Sequence, residues 1–351
     1  MTDLFQKIQS QLELGYPFAV FCKPGSNSVT GIFQNNTKAH FLTDYSQKGF
    51  VFAPFDGDKI CFIPEAESDI FSVELKTDGF IPSEIQQPEI EATAKAAFEA
   101  LVSKSVDAIK SGSFEKLVLS RTETVSMTDD VIAVYSKLLA AYPMGYRYCF
   151  FHPESGLWMG ATPEQLLKVE NKTLHTVALA GTQLYKEGEL AVWENKEKEE
   201  QQFVTTYIME SVQPYAGYIR KTEPYTFRAG NIVHIKTDIT AELKDSDSLQ
   251  GIISALHPTP AVCGLPKQKA KQFLLENEGY NRQYYSGYLG ELNLDIATGQ
   301  HKTDLFVNLR SMKVSNETAQ LFIGCGITKD SNPEKEFMET VNKSMTMRRI
   351  I

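Results

Sequence analysis

The sequence predicts an α/β chain of α+β character with a largely antiparallel sheet. Three observations carry that expectation. Segments with strand character outnumber helical ones, neighbouring strand segments are often hairpin-spaced, and 351 residues with 42% hydrophobic content suffice to bury a large core.

The first 90 or so residues offer the short β-like runs YPFAVFCK, HFLTDY, GFVFAPF and ICFIP, set off by Gly, Asn and Asp turn signals. The polar, Pro-bearing stretch FIPSEIQQPEI marks a boundary. It divides a variable β-rich part, residues 1–92, packed onto the same fold, from the remainder, residues 93–351. ATAKAAFEALVSKSVDAIKSG reads as a helix closed by Gly112. In the strand EKLVLSRTETV, alternation sets Lys116, Val118 and Ser120 on one side and Leu117, Leu119 and Arg121 on the other. Further strands are expected at YRYCFFH, GLWMGAT, LLKVEN, LHTVALAGT, NIVHIKTDITAEL, GYLGELNL, TDLFVNLRSMKV and TAQLFIGCGI. Further helices are expected over 193–213, 246–256, 267–276 and 333–349.

A formal charge of -9, without any basic run interleaved with aromatics, argues against nucleic acid as a partner. The N-terminus lacks a signal-peptide pattern and no apolar run approaches the roughly 18 residues that span a bilayer, so a cytoplasmic protein without a membrane partner is expected. Five scattered cysteines, with no CxxC and no histidine at metal spacing, read as reduced, packed thiols. Zinc and iron-sulfur chemistry drop out, leaving oxygen-ligated magnesium or calcium.

The segment VWENKEKEEQQFVTTYI places Trp193, Glu197, Glu200, Val204 and Ile208 on one helical face, so carboxylates interrupt an apolar stripe. A solvated charge run laced with pairs such as Glu194 with Lys198 is one reading. The other comes from NPEKEFMETVNKSMTMRR, where Asn332 and Pro333 start a helix that presents Glu336, Glu339, Lys343 and Met347 along one face. Two Glu-x-x-Glu pairs would repel across a shared pocket unless a cation, most simply magnesium, stood between them.

From about residue 95 to 349 the chain resembles the chorismate-utilising enzymes: isochorismate, salicylate, anthranilate and aminodeoxychorismate synthases. The resemblance rests on ordered blocks, KLVLSR, GATPEQLL, TVALAGTQ, KEKEEQQFVTTYI, VHIKTDI, LHPTPAVCGLPK, RQYYSGYLGEL, LRS, IGCGI and EKEFMETVNK. It implies the anthranilate/aminodeoxychorismate synthase-type fold, two stacked, mainly antiparallel β-sheets flanked by helices, with 93–351 as the chorismate-binding catalytic part. It also implies Mg2+, held directly by Glu200 and Glu339 and through water by Glu197 and Glu336. For chorismate itself the resemblance implies contacts from Arg310, Tyr285, Lys343, Gly181, Thr182, Gly324, Cys325, Gly326, His234 and His257. Bidentate arginine and side-chain-free glycines suit an anionic ligand.

Two residues set the reaction that the resemblance implies. Lys116 matches the position that is lysine in water-using enzymes and glutamine in ammonia-using ones. As a general base it must be neutral when it takes the proton, which burial or cationic neighbours would favour. Glu164 matches the general acid that protonates the departing C4 hydroxyl, which calls for an enclosed carboxyl with a raised pKa. The expectation is an isochorismate synthase that serves menaquinone or siderophore biosynthesis without an obligatory protein partner. A salicylate synthase, which goes on to expel pyruvate, is the alternative. An aminating synthase and an inactive chorismate-binding module stand behind it. Gln201, where histidine is frequent, and Leu184, where arginine is frequent, depart from the family pattern.

Overall fold

The computed structural model describes residues 1–75, 88–185, 187, 188, 190–229, 232–245 and 248–351. Residues 80–87 of the boundary stretch lie outside these, as do Asn231 and residues 246 and 247 at the start of the expected helix 246–256.

The chain begins with α1 (Thr2–Leu14), β1 (Phe18–Cys22), β2 (Ser28–Gln34), β3 (His40–Phe41), β4 (Gly49–Ala53), β5 (Cys61–Pro64) and β6 (Ser68–Glu74). It continues through α2 (Ala92–Lys110), β7 (Lys116–Ser126), α3 (Val131–Ala141), β8 (Tyr146–His152), β9 (Gly156–Thr162), β10 (Gln165–Glu170), β11 (Thr173–Leu184) and α4 (Asn195–Val212). Then come β12 (Ala216–Lys221), β13 (Tyr225–Ala229), β14 (Ile232–Leu243), α5 (Ser248–Leu256), β15 (Gly264–Leu265) and α6 (Lys267–Asn277). The last elements are β16 (Tyr288–Leu292), β17 (Lys302–Val307), β18 (Ser311–Ser315), β19 (Thr318–Ile327) and α7 (Pro333–Arg348).

These strands form two antiparallel sheets. The first runs β15-β7-β19-β18-β9-β8-β1-β2-β6, and the second β12-β14-β11-β10-β17-β16-β4-β5-β3, with β13 also on β14. Strand alternation sends Phe21, Tyr148, Phe150 and Trp158 of the first sheet and Phe50, Phe52 and Phe306 of the second into one aromatic core. The Phe52 and Phe150 rings meet at 4.5 Å across that gap. Helices cover the outer faces. Leu4, Ile8, Val134 and Leu138 of α1 and α3 pack under the first sheet, while Phe98, Leu274 and Phe337 of α2, α6 and α7 cover its β7–β19 end. Val204, Ile208, Ile252 and Leu256 of α4 and α5 cover the second. The N-terminal strands join both sheets, since β1 pairs with β8 and β4 with β16. All five cysteines are free and buried, and no helix among the described residues is long and apolar enough to cross a membrane.

Several sequence readings need correction, and β2, β6, β12 and β13 form where the sequence reading names no strand. The β-only reading of the N-terminus misses α1, which ends at Gly15 in the left-handed region (φ 69). α3 was also missed, although Asp130 caps it through Ala133 N. The stretch TDLFVNLRSMKV is not one strand: β17 belongs to the second sheet and β18 to the first, and the chain crosses between them over residues 308–310.

Candidate active site

The floor of the candidate cleft is β7 against β19. Their register sets Gly326 opposite Val118 and Gly324 opposite Ser120. Val118 sends its amide to Cys263 O at 2.9 Å and Ser120 sends its amide to Glu278 Oε1 at 2.7 Å, both away from β19. In an antiparallel ladder such partners face outward together, so the Gly324 and Gly326 amides point to the opposite edge, where β18 has stopped pairing at Phe322. A side-chain-free position is required at Gly324 but not at Gly326. A Cβ on Gly324 would lie 2.7 Å from the Tyr285 hydroxyl and 2.9 Å from Leu119 O, whereas one on Gly326 would sit 3.4 Å from Lys116 Cε. Cys325, between them, turns its side chain the other way into the core with Leu117, Leu119, Phe337 and Val341. Its buried thiol hydrogen-bonds to the Glu336 carboxylate of α7.

Acids approach this floor from two helices. On α4, Glu200 accepts a hydrogen bond from Lys116 Nζ at 2.8 Å. On α7, Glu339 pairs with Lys343 at 2.6 Å, and Lys343 donates to Gly324 O at 3.0 Å. Burial raises the Glu336 carboxyl above the ordinary range, and the charge of Glu339 adds to the rise. Glu197 is turned to its own helix terminus, where Oε2 accepts from Glu194 N at 2.7 Å and Oε1 from Gln183 Nε2 at 3.2 Å.

Glu164 and Arg310 sit where the chain passes between sheets. Glu164 lies in the link from β9 to β10, Arg310 in the link from β17 to β18, and the links run side by side because Gly160 pairs with Ser311 and Gln165 with Phe306. Ala161 N donates to Arg310 O at 3.0 Å and Val307 N to Glu164 O at 2.9 Å. Arg310 is held at φ 47, an uncommon conformation for a non-glycine residue. Buried Asn308 fixes the approach: its Nδ2 donates to Tyr284 O at 2.9 Å and its Oδ1 accepts from Tyr148 OH at 2.6 Å.

Desolvation pushes the Glu164 carboxyl up to about 7, with Lys116, the Thr259 hydroxyl and Arg310 pulling the other way. Burial lowers the Arg310 guanidinium from its usual value against the opposing charges of Tyr285, Glu339 and Glu164. Lys116, Glu164, Arg310, Tyr285 and Glu339 thus lie within electrostatic reach of one another. Among the described residues the Arg310 guanidinium has no hydrogen-bond or ion-pair partner, which leaves its bidentate fork uncommitted.

The two histidines lie in supporting positions. His257 Nε2 meets Pro54 O at 3.1 Å, and burial drives its pKa down to about 3, which keeps the ring neutral. His234 Nδ1 meets Gly181 O at 2.9 Å. Gly181 (φ 67) lies in a bulge of β11, where a Cβ would stand 3.2 Å from the Trp193 ring. The side chains of Thr182 and Leu184 lie outside the described residues. Gln201 is buried and donates to Thr205 and Thr237 hydroxyls at 2.8 and 2.7 Å, so it ties α4 to β14. Sequence reading did not single out Thr259 or Asn308, although both stand inside quoted blocks, HPTPAV and VNLRSM.

Glu200, Glu339 and Glu336 offer the oxygen donors that magnesium takes, whereas both Glu197 oxygens are committed to Glu194 N and Gln183 Nε2. Among the described residues no three His, Cys, Asp or Glu side chains stand close enough to hold an ion, and Glu200 and Glu339 each hold a lysine. Taking up an ion therefore means exchanging those lysines for it.

Fold and candidate cleft together define a two-sheet antiparallel α/β protein in which a carboxyl, a lysine and an arginine lie near one another between the sheets. The chain belongs to the chorismate binding enzyme family, whose sequence model matches residues 65–351. It is 29% identical over 276 residues to the salicylate biosynthesis isochorismate synthase of Pseudomonas aeruginosa, covering 76% of this chain and 57% of that one. It is 28% identical over 268 residues to the isochorismate synthase MenF of Escherichia coli, covering 73% of this chain and 60% of the relative. The matches thus span less than two thirds of those relatives' length. In fold it is similar to a Bacillus anthracis protein described as a 2,3-dihydroxybenzoate-specific isochorismate synthase, DhbC, with TM-score 0.77 and 22% identity over 99% of both chains. It is equally similar to the menaquinone-specific isochorismate synthase MenF of Escherichia coli, with TM-score 0.77 and 21% identity over 96% of this chain and 89% of that one.

Proposed function

We propose that this chain is a magnesium-dependent isochorismate synthase. The observation that carries the reading is Glu164: a carboxyl pushed up to about 7 within electrostatic reach of Lys116 and Arg310, in a chain of the chorismate-binding family. At neutral pH such a group is protonated often enough to donate.

Arg310 takes a chorismate carboxylate bidentately, and the outward Gly324 and Gly326 amides accept further negative charge. Lys116 removes a proton from water as that water's oxygen bonds to C2. The ring double bonds shift, the C4–O bond breaks, and Glu164 gives its proton to the leaving hydroxyl, which departs as water. One water enters and one leaves. Lys116 acts only from its neutral form, so its ion pair with Glu200 has to open first. When bound, the magnesium ion would be held by carboxylates of the Glu197, Glu200, Glu336 and Glu339 set and would neutralise substrate carboxylate charge.

Purified protein incubated with chorismate and magnesium, followed by chromatography, tests this reading. Isochorismate as the main product is expected. Salicylate with pyruvate would replace the proposal by the salicylate synthase reading, and unconverted chorismate would sink both. The relatives named above include enzymes of menaquinone and of 2,3-dihydroxybenzoate formation, so the product would serve either menaquinone or siderophore biosynthesis.

A further inference from the structure

β7 lacks a full neighbour on the side away from β19. β15 is two residues long and pairs only with Leu117 and Lys116, and Cys263 O takes the Val118 amide at 2.9 Å. Beyond that point Val118 O and the Ser120 amide face an edge with no strand among the described residues. Two side chains complete it. Arg282 Nη2 donates to Val118 O at 2.7 Å, and Glu278 Oε1 accepts from Ser120 N at 2.7 Å and from Ser120 Oγ at 2.8 Å.

The two are also bound to each other. Arg282 Nε donates to Glu278 Oε2 at 2.7 Å and Nη2 to Oε1 at 2.5 Å, with only 2% of either side chain exposed. Arg282 Nη1 reaches Val262 O at 2.8 Å, and Tyr280 OH donates to Ser120 Oγ at 2.7 Å. The guanidinium packs over Phe55, 4.4 Å from the ring centroid. Most of the donors and acceptors that a buried pair of this kind requires are thereby used, and the bonds go to two other segments. They are β7, which starts with Lys116, and the loop from His257 to Cys263, which carries Thr259; the pair itself stands on the turn that leads to Tyr285.

We infer that the buried Glu278–Arg282 pair is a positioning element of the cleft, standing in for the missing strand beside β7 and fixing Lys116, Thr259 and Tyr285 relative to one another. Neither residue touches the cleft contents, so neither is catalytic. The inference rests on the proposed reaction for its functional meaning, because Lys116 matters only if it handles the proton of water.

Arg282→Lys keeps the charge but removes the fork that holds Glu278 and both carbonyls at once. In the folded variant, kcat with chorismate falls on the order of tenfold to a hundredfold, as expected for a reacting group displaced by ~1 Å, while KM changes little. A folded variant with wild-type kcat overturns the inference. Ser120→Ala, which removes one bond to Glu278 and leaves the ion pair, serves if Arg282→Lys does not fold; kcat unchanged there overturns it equally. Wild-type protein inert toward chorismate would sink the proposed reaction alone. The inference then stands on hydrogen exchange at residues 116–120, about tenfold faster in the variant than in wild type while β18 stays unchanged, and falls if that exchange is unaltered.

Discussion

Lys116 and Glu200, 84 residues apart in the chain, meet across the cleft at 2.8 Å. The same carboxylate is a proposed ligand of magnesium, and the same lysine the proposed base. One contact therefore ties the metal site to the proton-transfer site. Replacing Lys116 by Gln leaves Glu200 without its cation and removes the base. Isochorismate formation should fall by ~10² to 10⁴, read by product chromatography. Unchanged formation would remove Lys116 from the mechanism, and ammonia supplied to this variant tests whether glutamine admits the other nucleophile.

Glu164 should impose the alkaline limit on the reaction. Its carboxyl, raised to about 7 by desolvation, loses the proton it must donate as pH rises through that value, so kcat should decline from pH 6 to 8, about one unit either side of that value. Glu164→Gln should abolish both the rate and the limit. The stability sign follows from the same shift. The folded chain keeps this proton to about 7 and the unfolded chain only to about 4.3, so the contribution is fully present below the lower value and is lost as pH rises through the upper one. Melting curves of wild type and Glu164→Gln across that window measure the difference.

Arg310 should act mainly on binding. Arg310→Ala removes the uncommitted fork, and KM for chorismate should rise on the order of ten- to a hundredfold, the scale of one lost charge-assisted bidentate contact. Arg310→Lys should recover only part of it. Full recovery by lysine would show that charge alone suffices.

The glycine pair gives a contrast within two residues. Gly324→Ala places a Cβ 2.7 Å from the Tyr285 hydroxyl and 2.9 Å from Leu119 O, and should destabilise the chain by ~1–3 kcal/mol. Gly326→Ala meets only Lys116 Cε at 3.4 Å and should leave the melting temperature nearly unchanged. Equal melting temperatures for the two variants would contradict this packing.

Chelation should stop turnover, and added magnesium should restore it. Glu339→Gln should raise the magnesium concentration needed for half-maximal rate. Full rate in metal-free buffer would remove the ion from the reaction.

Much of the fold was legible where alternation was strong. The face assignment of Lys116 and Ser120 against Leu117 and Leu119 holds in the structure, because a two-residue period needs no knowledge of partners. The pairing of β1 with β8 and of β4 with β16 was not legible, since register between distant strands leaves no local trace. α3 lies over a stretch that Asp130 caps, and the break at Arg310 falls inside a run with no Gly or Pro to mark it. In the candidate site, ordered blocks led to Glu164 and Arg310, and the structure adds their neighbours. Thr259 and Asn308 have common residue types, and only their contacts mark them out.

The two peptide links that carry Glu164 and Arg310 also join the layers of the sandwich. A change in the thickness of the aromatic filling should therefore shift Glu164 and Arg310 relative to each other. Phe52 and Phe150, 4.5 Å apart and both buried, are the rings whose trimming would test that coupling. Phe150→Leu should move the pH dependence of the proposed reaction without touching either residue.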